Sequence, residues 1–431
     1  MSHISEPLAQ GGAVPDVVPP SGGPSELPRV GRLQLAAWTL ALFGLWTAVM
    51  TPATVSLALR VGQIDPGGKE GSYSLIAGVG AVVAVIANPL AGRLSDLTTS
   101  RFGRRRPWIA GGALGTFAGS ALLATGHSVA ALFAGWIVIQ LFANAAAAAL
   151  IALIADRFPA AQQGTASGLL GMTVIAGALA GTYVVKILPD SPSAIFLAPA
   201  GLAVVCIAAF LLVFPDQVLP AARRPAFHPR TFLQSFYMKP SANPDFAWTL
   251  LTLFLVAAGP TFVVTYSVYF LQDYLHIAKD DVPGTVFISV LIMNLLGLVS
   301  SPLAGVTSDR IGRRKPVFIA SALLAAVGLA VLLSVKSLPV FYVGVGIVGV
   351  GNGLFQGLYV AMATATLTDP STTARDLGLV NIATTIPQSL VPFAAPALLA
   401  VGGGGNYPVL FGTGILTALL GIPMLRKINI K

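Results

Sequence analysis

Twelve long apolar stretches, parted by short polar ones, run from residue 33 nearly to the end of the chain. They fall near 33–59, 72–94, 108–126, 129–155, 164–188, 194–214, 246–271, 284–307, 317–336, 338–367, 377–400 and 407–425. Each is close to the ~20 apolar residues that cross the hydrocarbon of a bilayer. Hydrocarbon offers backbone N–H and C=O groups no partner, so the pattern predicts twelve helices that satisfy these groups internally. Residues 1–28 are rich in Pro, Gly and Ser and hold no apolar run. They predict a disordered tail, without the pattern of a cleaved leader. The longest polar stretch between spans, 215–245, holds six prolines with Arg223, Arg224, Arg230 and Lys239. It predicts a linker between two bundles of six helices, 29–214 and 246–431.

Charge orients these spans. With a cytoplasmic amino terminus, 20 of the 25 Lys and Arg residues fall inside, and Arg60, Lys69, Lys186, Lys279 and Lys336 fall outside. Basic residues collect on the cytoplasmic side of helical membrane proteins. Tail, linker and carboxyl terminus are therefore expected in the cytoplasm of a multi-pass cell-membrane protein. The chain is 55% hydrophobic and only 10% charged, against about 25% charged in soluble proteins. That excludes a soluble enzyme and a nucleic-acid binder, and the net charge of +9 belongs to the orienting loops. The single cysteine, Cys206, lies in an apolar run, so neither a disulfide framework nor a thiolate metal site is available. No zinc spacing, phosphate loop or catalytic triad is present. No catalytic residue, metal or cofactor is expected, and the chain is expected not to be an enzyme.

The two halves repeat one another. Pro89-Leu90-Ala91-Gly92-Arg93-Leu94-Ser95-Asp96 matches Pro302-Leu303-Ala304-Gly305-Val306-Thr307-Ser308-Asp309 in six places at an offset of 213. Gly103-Arg104-Arg105-Arg106-Pro107 matches Gly312-Arg313-Arg314-Lys315-Pro316 at an offset of 209, so the first copy is four residues longer between Asp and Gly. Pro52 and Pro260 correspond at 208. Repeats of membrane helices point to transporters, with the solute site between the halves.

These residues carry a resemblance. Gly92-x-Leu94-Ser95-Asp96 followed by Gly103-Arg104-Arg105-Arg106, with its echo at Gly305 to Arg314, resembles the loop motif of the major facilitator superfamily. The longer first copy, Ser95 to Ile109, and Asp156-Arg157-Phe158-Pro159 running to Gln163-Gly164-x-Ala166-x-Gly168, are similar to its sucrose-transporter-like and sugar:cation symporter branch. The resemblance spans 33–425 and implies an all-α polytopic fold of twelve helices in two pseudo-symmetric bundles. It also implies alternating access by rocking of the halves.

The candidate gate comprises Gly92, Asp96, Arg104, Arg105, Asp156, Arg157, Asp309, Arg313 and Arg375. Asp96 ends the second span, ahead of the arginines that open the third. A carboxylate there can accept charge-assisted hydrogen bonds in one state and lose them in the other. Such bonds contribute about 1.5–3 kcal/mol each, enough to bias a two-state equilibrium. Asp156-Arg157 and Arg375-Asp376 lie at equivalent inside ends and could pair with the Asp96 and Asp309 loops, or stand as solvated loop charges, since exposed ion pairs contribute only about 0–1 kcal/mol.

No Asp, Glu, Lys, Arg or His lies mid-span. Ionisable groups inside a membrane mark proton relays, so their absence argues against a central carboxylate and a strongly charged solute. Asp96, Asp273 or the Asp280-Asp281 pair remain as peripheral groups able to titrate. Neutral polarity takes the middle of the spans. Gln140 and Asn144, and Asn352 and Gln356, are spaced four apart and so share a helix face. With Trp38, Tyr266, Tyr269, Tyr359, Asn381 and Gln388 they make the candidate cavity, because the resembled fold lines its cavity with spans 1, 4, 7 and 10. The same groups could instead join helices, where such bonds average about 0.6 kcal/mol. Gly164-x3-Gly168 and Gly177-x3-Gly181 have the spacing of close helix packing.

The expected function is secondary or facilitative transport of a small neutral or weakly polar solute, a sugar among the candidates. Alternatives are a drug or metabolite exporter of the same fold and a non-transporting solute sensor. The expected partners are a small-molecule substrate, the lipid bilayer and, as an open option, a coupling proton or cation. Nucleic acid is not expected, and the chain is expected to act as a monomer.

Overall fold

The computed structural model describes residues 28–216, 218–220, 222, 238–367 and 373–429. All but the last residue of the expected tail, and most of the 215–245 linker, lie outside them. Among the described residues, twelve helices are long and apolar enough to span a bilayer. They are α1 Arg32–Ile64, α2 Lys69–Asp96, α3 Arg106–Thr125, α4 Val129–Arg157, α5 Ala160–Ile187 and α6 Pro192–Val213 in the first half. The second half holds α7 Pro244–Tyr274, α8 Val282–Ile311, α9 Lys315–Leu333, α10 Leu338–Thr364, α11 Arg375–Ala400 and α12 Tyr407–Lys427. Twelve crossings return the chain to the face where it began. We call that the termini face, and the other the far face.

Helix starts follow local chemistry. Ser128, Ser191, Asn243 and Asn406 precede α4, α6, α7 and α12, and their side-chain oxygens accept a backbone N–H three residues on. Each satisfies a donor that a first turn leaves without a partner. Proline interrupts two spans. α1 widens into a π turn over Pro52–Ser56, where Pro52 has no N–H to donate. α11 is broken at Ile386, between the helical segments Thr373–Thr385 and Pro387–Ala400.

Packing repeats as the sequence does. α1 packs on α5 and α6, as α7 packs on α11 and α12. α4 receives α2 and α3, as α10 receives α8 and α9. α3 meets α6, and α9 meets α12. The bundles join through α2 with α11 and α5 with α8, which are again equivalent pairs. In α11 only the far-face part, Pro387–Ala400, packs on α2, while Thr373–Thr385 packs on α7 and α10 of its own half.

Small residues set the closest crossings. Gly177 and Gly181 of α5 lie against Thr47 and Thr51 of α1, whereas a Cβ at Gly164 or Gly168 would meet open space. Only the second of the two expected Gly-x3-Gly pairs is therefore a packing contact. At the α8–α10 crossing, a Cβ on Gly353 would overlap the Ser300 hydroxyl and the Gly297 carbonyl. Overpacking of this kind costs about 1–3 kcal/mol. Gly353→Val should therefore lower the melting temperature of the detergent-solubilised protein. Gly305→Ala, whose methyl would meet open space, should not.

Candidate functional site

At the termini face the α2–α3 loop closes around Arg105. Its side chain is 4% exposed. One nitrogen donates to Asp96 Oδ1 at 2.5 Å, Nε donates to Asp156 Oδ2 at 3.0 Å, and Nη1 donates to Ser95 Oγ and to the Gly92 carbonyl. Arg104 pairs with the other Asp156 oxygen at 2.5 Å. Two carboxylates, a hydroxyl and a carbonyl thus surround one guanidinium, whose planar fork suits several acceptors at once.

Asp216, just beyond α6, completes this lattice. Its Oδ2 accepts the backbone N–H groups of Arg105 and Arg106 at 2.7 and 3.0 Å. An anion there matches the positive end of the α3 dipole. Gly103 has φ +104°, and a Cβ on it would overlap the Asp216 carboxylate. Glycine thus meets both the backbone and the space requirement. Arg106 donates to the Leu211 carbonyl, and Arg157 to that of Pro215 at 2.6 Å.

The structure brings Gly92, Asp96, Arg104, Arg105 and Asp156 together and leaves the other gate candidates elsewhere. Arg157 turns away from the Asp96 loop toward Pro215, with its guanidinium 5.5 Å over the Phe214 ring. Asp309 and Arg313 are exposed. Arg314, the counterpart of Arg105, donates to the Ala361 carbonyl of α10 at 2.6 Å. Arg375 pairs with its neighbour Asp376 at 2.8 Å, not with the Asp309 loop. The physical reason is the missing length. With four residues fewer between Asp309 and Gly312, α8 continues to Ile311 and ends directly on Gly312, φ +66°.

The far face is held by groups from both halves. Lys69 at the start of α2 pairs with Asp273 at the end of α7 at 2.6 Å, with side chains 17% and 32% exposed. Tyr407 of α12 donates to the second Asp273 oxygen at 3.2 Å. The Lys69 ammonium stands 5.1 Å from the Tyr269 ring, an arrangement of cation–π attraction. Tyr269 donates to the Ala58 carbonyl of α1 at 3.0 Å. Tyr73 of α2 meets Tyr266 and Tyr269 edge-on at 5.9 and 5.6 Å, and Ser74 donates to the Pro392 carbonyl. Beside this cluster, Tyr183 of α5 meets Phe287 of α8 at 5.6 Å. All these cross-half contacts lie at the far-face ends of their helices.

The cavity candidates separate into three groups. Trp38 is fully buried in the amino-terminal bundle, donating to the Leu150 carbonyl at 2.9 Å and packing on Phe158. Its indole is occupied by helix packing and does not reach a cavity. Tyr266 and Tyr269 are likewise fully buried, as part of the far-face seam. Gln140 is buried, and Asn144 donates back to its carbonyl at 2.8 Å. Asn352 and Tyr359 are half-buried, Tyr359 stacked on Phe355. Gln356, Asn381 and Gln388 are exposed. An amide facing hydrocarbon is costly. Sequence reasoning did not find Lys69, Tyr73, Ser74, Asp216 and Tyr407. Lys69 counted only as an outer basic residue, and its partner lies 204 positions away.

Two stretches of the chain, 39–301 and 288–429, match the family model described as Major Facilitator Superfamily. Over 187 residues the chain is 30% identical to "Multidrug resistance protein MdtG" of Enterobacter lignolyticus (strain SCF1), covering 42% of this chain and 41% of that protein. Over 113 residues it is 33% identical to "Proton-associated sugar transporter A" of Mus musculus, covering 25% of this chain and 15% of that protein. The chain thus matches less than half the length of either relative. Among solved structures, a D-xylose-proton symporter aligns at TM-score 0.66 and 18% identity, over 90% of this chain and 96% of that one. A mutant of the nucleoside transporter NupG aligns at 0.71 and 16% identity, over 91% and 99%. At these identities the structures bear on the fold alone.

Proposed function

The chain belongs to the Major Facilitator Superfamily, and from that premise we propose that it moves a small neutral or weakly polar solute across the cell membrane by alternating access. The transporter class and the membrane-spanning fold are common to the family and its relatives. The observation that carries the finer reading is the pairing of a far-face seam closed by both halves with uncharged amides exposed in mid-span at Gln356, Asn381 and Gln388. Hydroxyl-rich neutral solutes are bound by such amides. Sugars are the solute class that this chemistry and the similarity to the mouse sugar transporter both favour, in line with a sugar:cation branch. Residues 29–214 and 246–431 act as the two rocking units, with the 215–245 linker and both termini in the cytoplasm. The protein works as a monomer.

The decisive experiment is reconstitution in liposomes with a panel of sugars, polyols and amphipathic compounds, with and without a pH gradient. Saturable uptake of a neutral hydrophilic solute supports the reading. Movement of amphipathic compounds alone establishes the exporter reading, which the similarity to MdtG favours. Within the first outcome, Gln356→Ala should weaken apparent affinity about two- to tenfold, the loss of one neutral hydrogen bond worth about 0.5–1.5 kcal/mol. Gln356 is exposed, so the melting temperature should stay near that of the wild type. Unchanged affinity in this variant would remove Gln356 from the cavity.

A further inference from the structure

On the flank of the amino-terminal bundle, α2 and α3 both pack on α4 and are held apart by it. The gap between them is a groove of about 520 Å³ next to the termini face. Leu90 and Leu94 of α2, Trp108 and Gly111 of α3, and Phe142 of α4 wall it, and Thr98 closes the loop end. α3 packs on α4 and α6, away from the α2–α11 and α5–α8 contacts that form the seam. The groove therefore opens toward the bilayer and not toward the space between the halves.

The chemistry of the groove selects its occupant. Its polar side-chain groups are the Thr98 hydroxyl and the Trp108 indole N–H, and the second donates to the first at 2.9 Å. Neither is left for a ligand, so the walls offer hydrocarbon contact only. A hydroxyl-rich solute placed there would lose its hydrogen bonds to water without replacement, whereas an acyl chain loses nothing. Three residues beyond Thr98, the same loop carries Arg101, within about 10 Å of chain reach. Arg104, Arg105 and Arg106 of this basic run are bound to Asp156, to Asp96 and to the Leu211 carbonyl. Arg101 is exposed and has no carboxylate partner among the described residues. Its guanidinium lies 4.8 Å from the ring of Phe102, which is 62% exposed. A cation and an aromatic ring standing together at the edge of an apolar slot match the headgroup level of a leaflet.

The geometry points to a binding site for one anionic phospholipid of the termini-face leaflet. Its acyl chain fills the α2–α3 groove and its phosphate meets Arg101. The lipid buttresses the α2–α3 loop that carries Asp96 and Arg105. The site is separate from the solute path, and its existence does not depend on which solute is carried.

Gly111 supplies the test, because a Cβ there meets nothing within 4 Å. Gly111→Leu starts a side chain in open space at the groove wall, and it exchanges a poor helix former for a good one. Protein purified in detergent is titrated with phosphatidylglycerol or phosphatidylcholine of identical chains while thermal unfolding is followed. Phosphatidylglycerol should raise the wild-type midpoint by about 2–4 °C, and phosphatidylcholine by less. Arg101→Gln should reduce the phosphatidylglycerol effect to that of phosphatidylcholine. Gly111→Leu should remove both effects, and glycerol 1-phosphate, a headgroup without a tail, should have none. A wild-type response persisting in Gly111→Leu overturns the groove as the site. Equal responses to the two lipids in the wild type, or a full response to glycerol 1-phosphate, overturn the anionic lipid as its occupant.

Discussion

Replacing Asp273 by asparagine should open the far-face seam and reduce transport about tenfold or more. Asp273 is the one carboxylate that the described residues place opposite a basic group of the other half: it accepts from Lys69 at 2.6 Å and from Tyr407 at 3.2 Å. Asparagine keeps the shape and removes the charge, leaving the Lys69 ammonium among tyrosines with a neutral acceptor. A charge-assisted bond is worth about 1.5–3 kcal/mol, and the partial exposure of Asp273 screens some of it. The remainder still moves a two-state equilibrium about tenfold. Ser74 reports that movement, because it is buried at the seam against the Pro392 carbonyl. In a Cys206→Ser background, Ser74→Cys should react slowly with an impermeant thiol reagent added from the far face. Adding Asp273→Asn should speed the reaction, and Lys69→Gln should do the same. Equally slow labelling in all three proteins would show that the pair does not hold the seam.

The sequence carries the fold plainly because lipid enforces it. A helix of near-spanning length satisfies its own backbone in hydrocarbon, so twelve continuous apolar stretches become twelve helices. The repeated Pro-Leu-Ala-Gly-x-x-Ser-Asp places equivalent loops in both halves, and the repeated packing of α2 and α8, α3 and α9, α5 and α11 follows. Partner choice is less visible. Three arginines stand side by side at 104–106, and nothing in their order shows that the middle one points inward to Asp96 and Asp156. That follows from the turn of α3 and from Asp216, which fixes the backbone of Arg105 from 111 residues away. The repeat also suggests a symmetry of contacts that the shorter second loop does not keep at Asp309. Trp38 looks like a cavity aromatic because it lies on a cavity-lining span, yet its neighbours Leu150 and Phe158 enclose it. A helical pattern gives the face of a residue but not the helix that face meets. For the same reason Lys69 and Asp273, at the ends of α2 and α7, carry no trace of one another in the sequence.

Arg105→Ala should be the most damaging single change at the termini face. Breaking a buried ion pair by removing one member costs about 3–5 kcal/mol, because the charges left behind are poorly solvated. Arg105 serves Asp96, Asp156, Ser95 and the Gly92 carbonyl at once. Asp156 keeps Arg104, and Asp96, at 35% exposure, can recover water, so the cost falls toward the lower end of that range. Arg105→Lys keeps the charge but loses the fork and should lie between alanine and wild type. Asp96→Asn removes the charge from one acceptor of a guanidinium that retains three others. It should leave the melting temperature close to wild type and still slow transport, since Asp96, the more exposed of the two carboxylates, is the member of this lattice able to exchange partners between states. Thermal unfolding and transport rates measured on the same three proteins separate the roles. A loss of stability in Asp96→Asn as large as in Arg105→Ala would make Asp96 a fixed structural strut and end its assignment as the moving part of the gate.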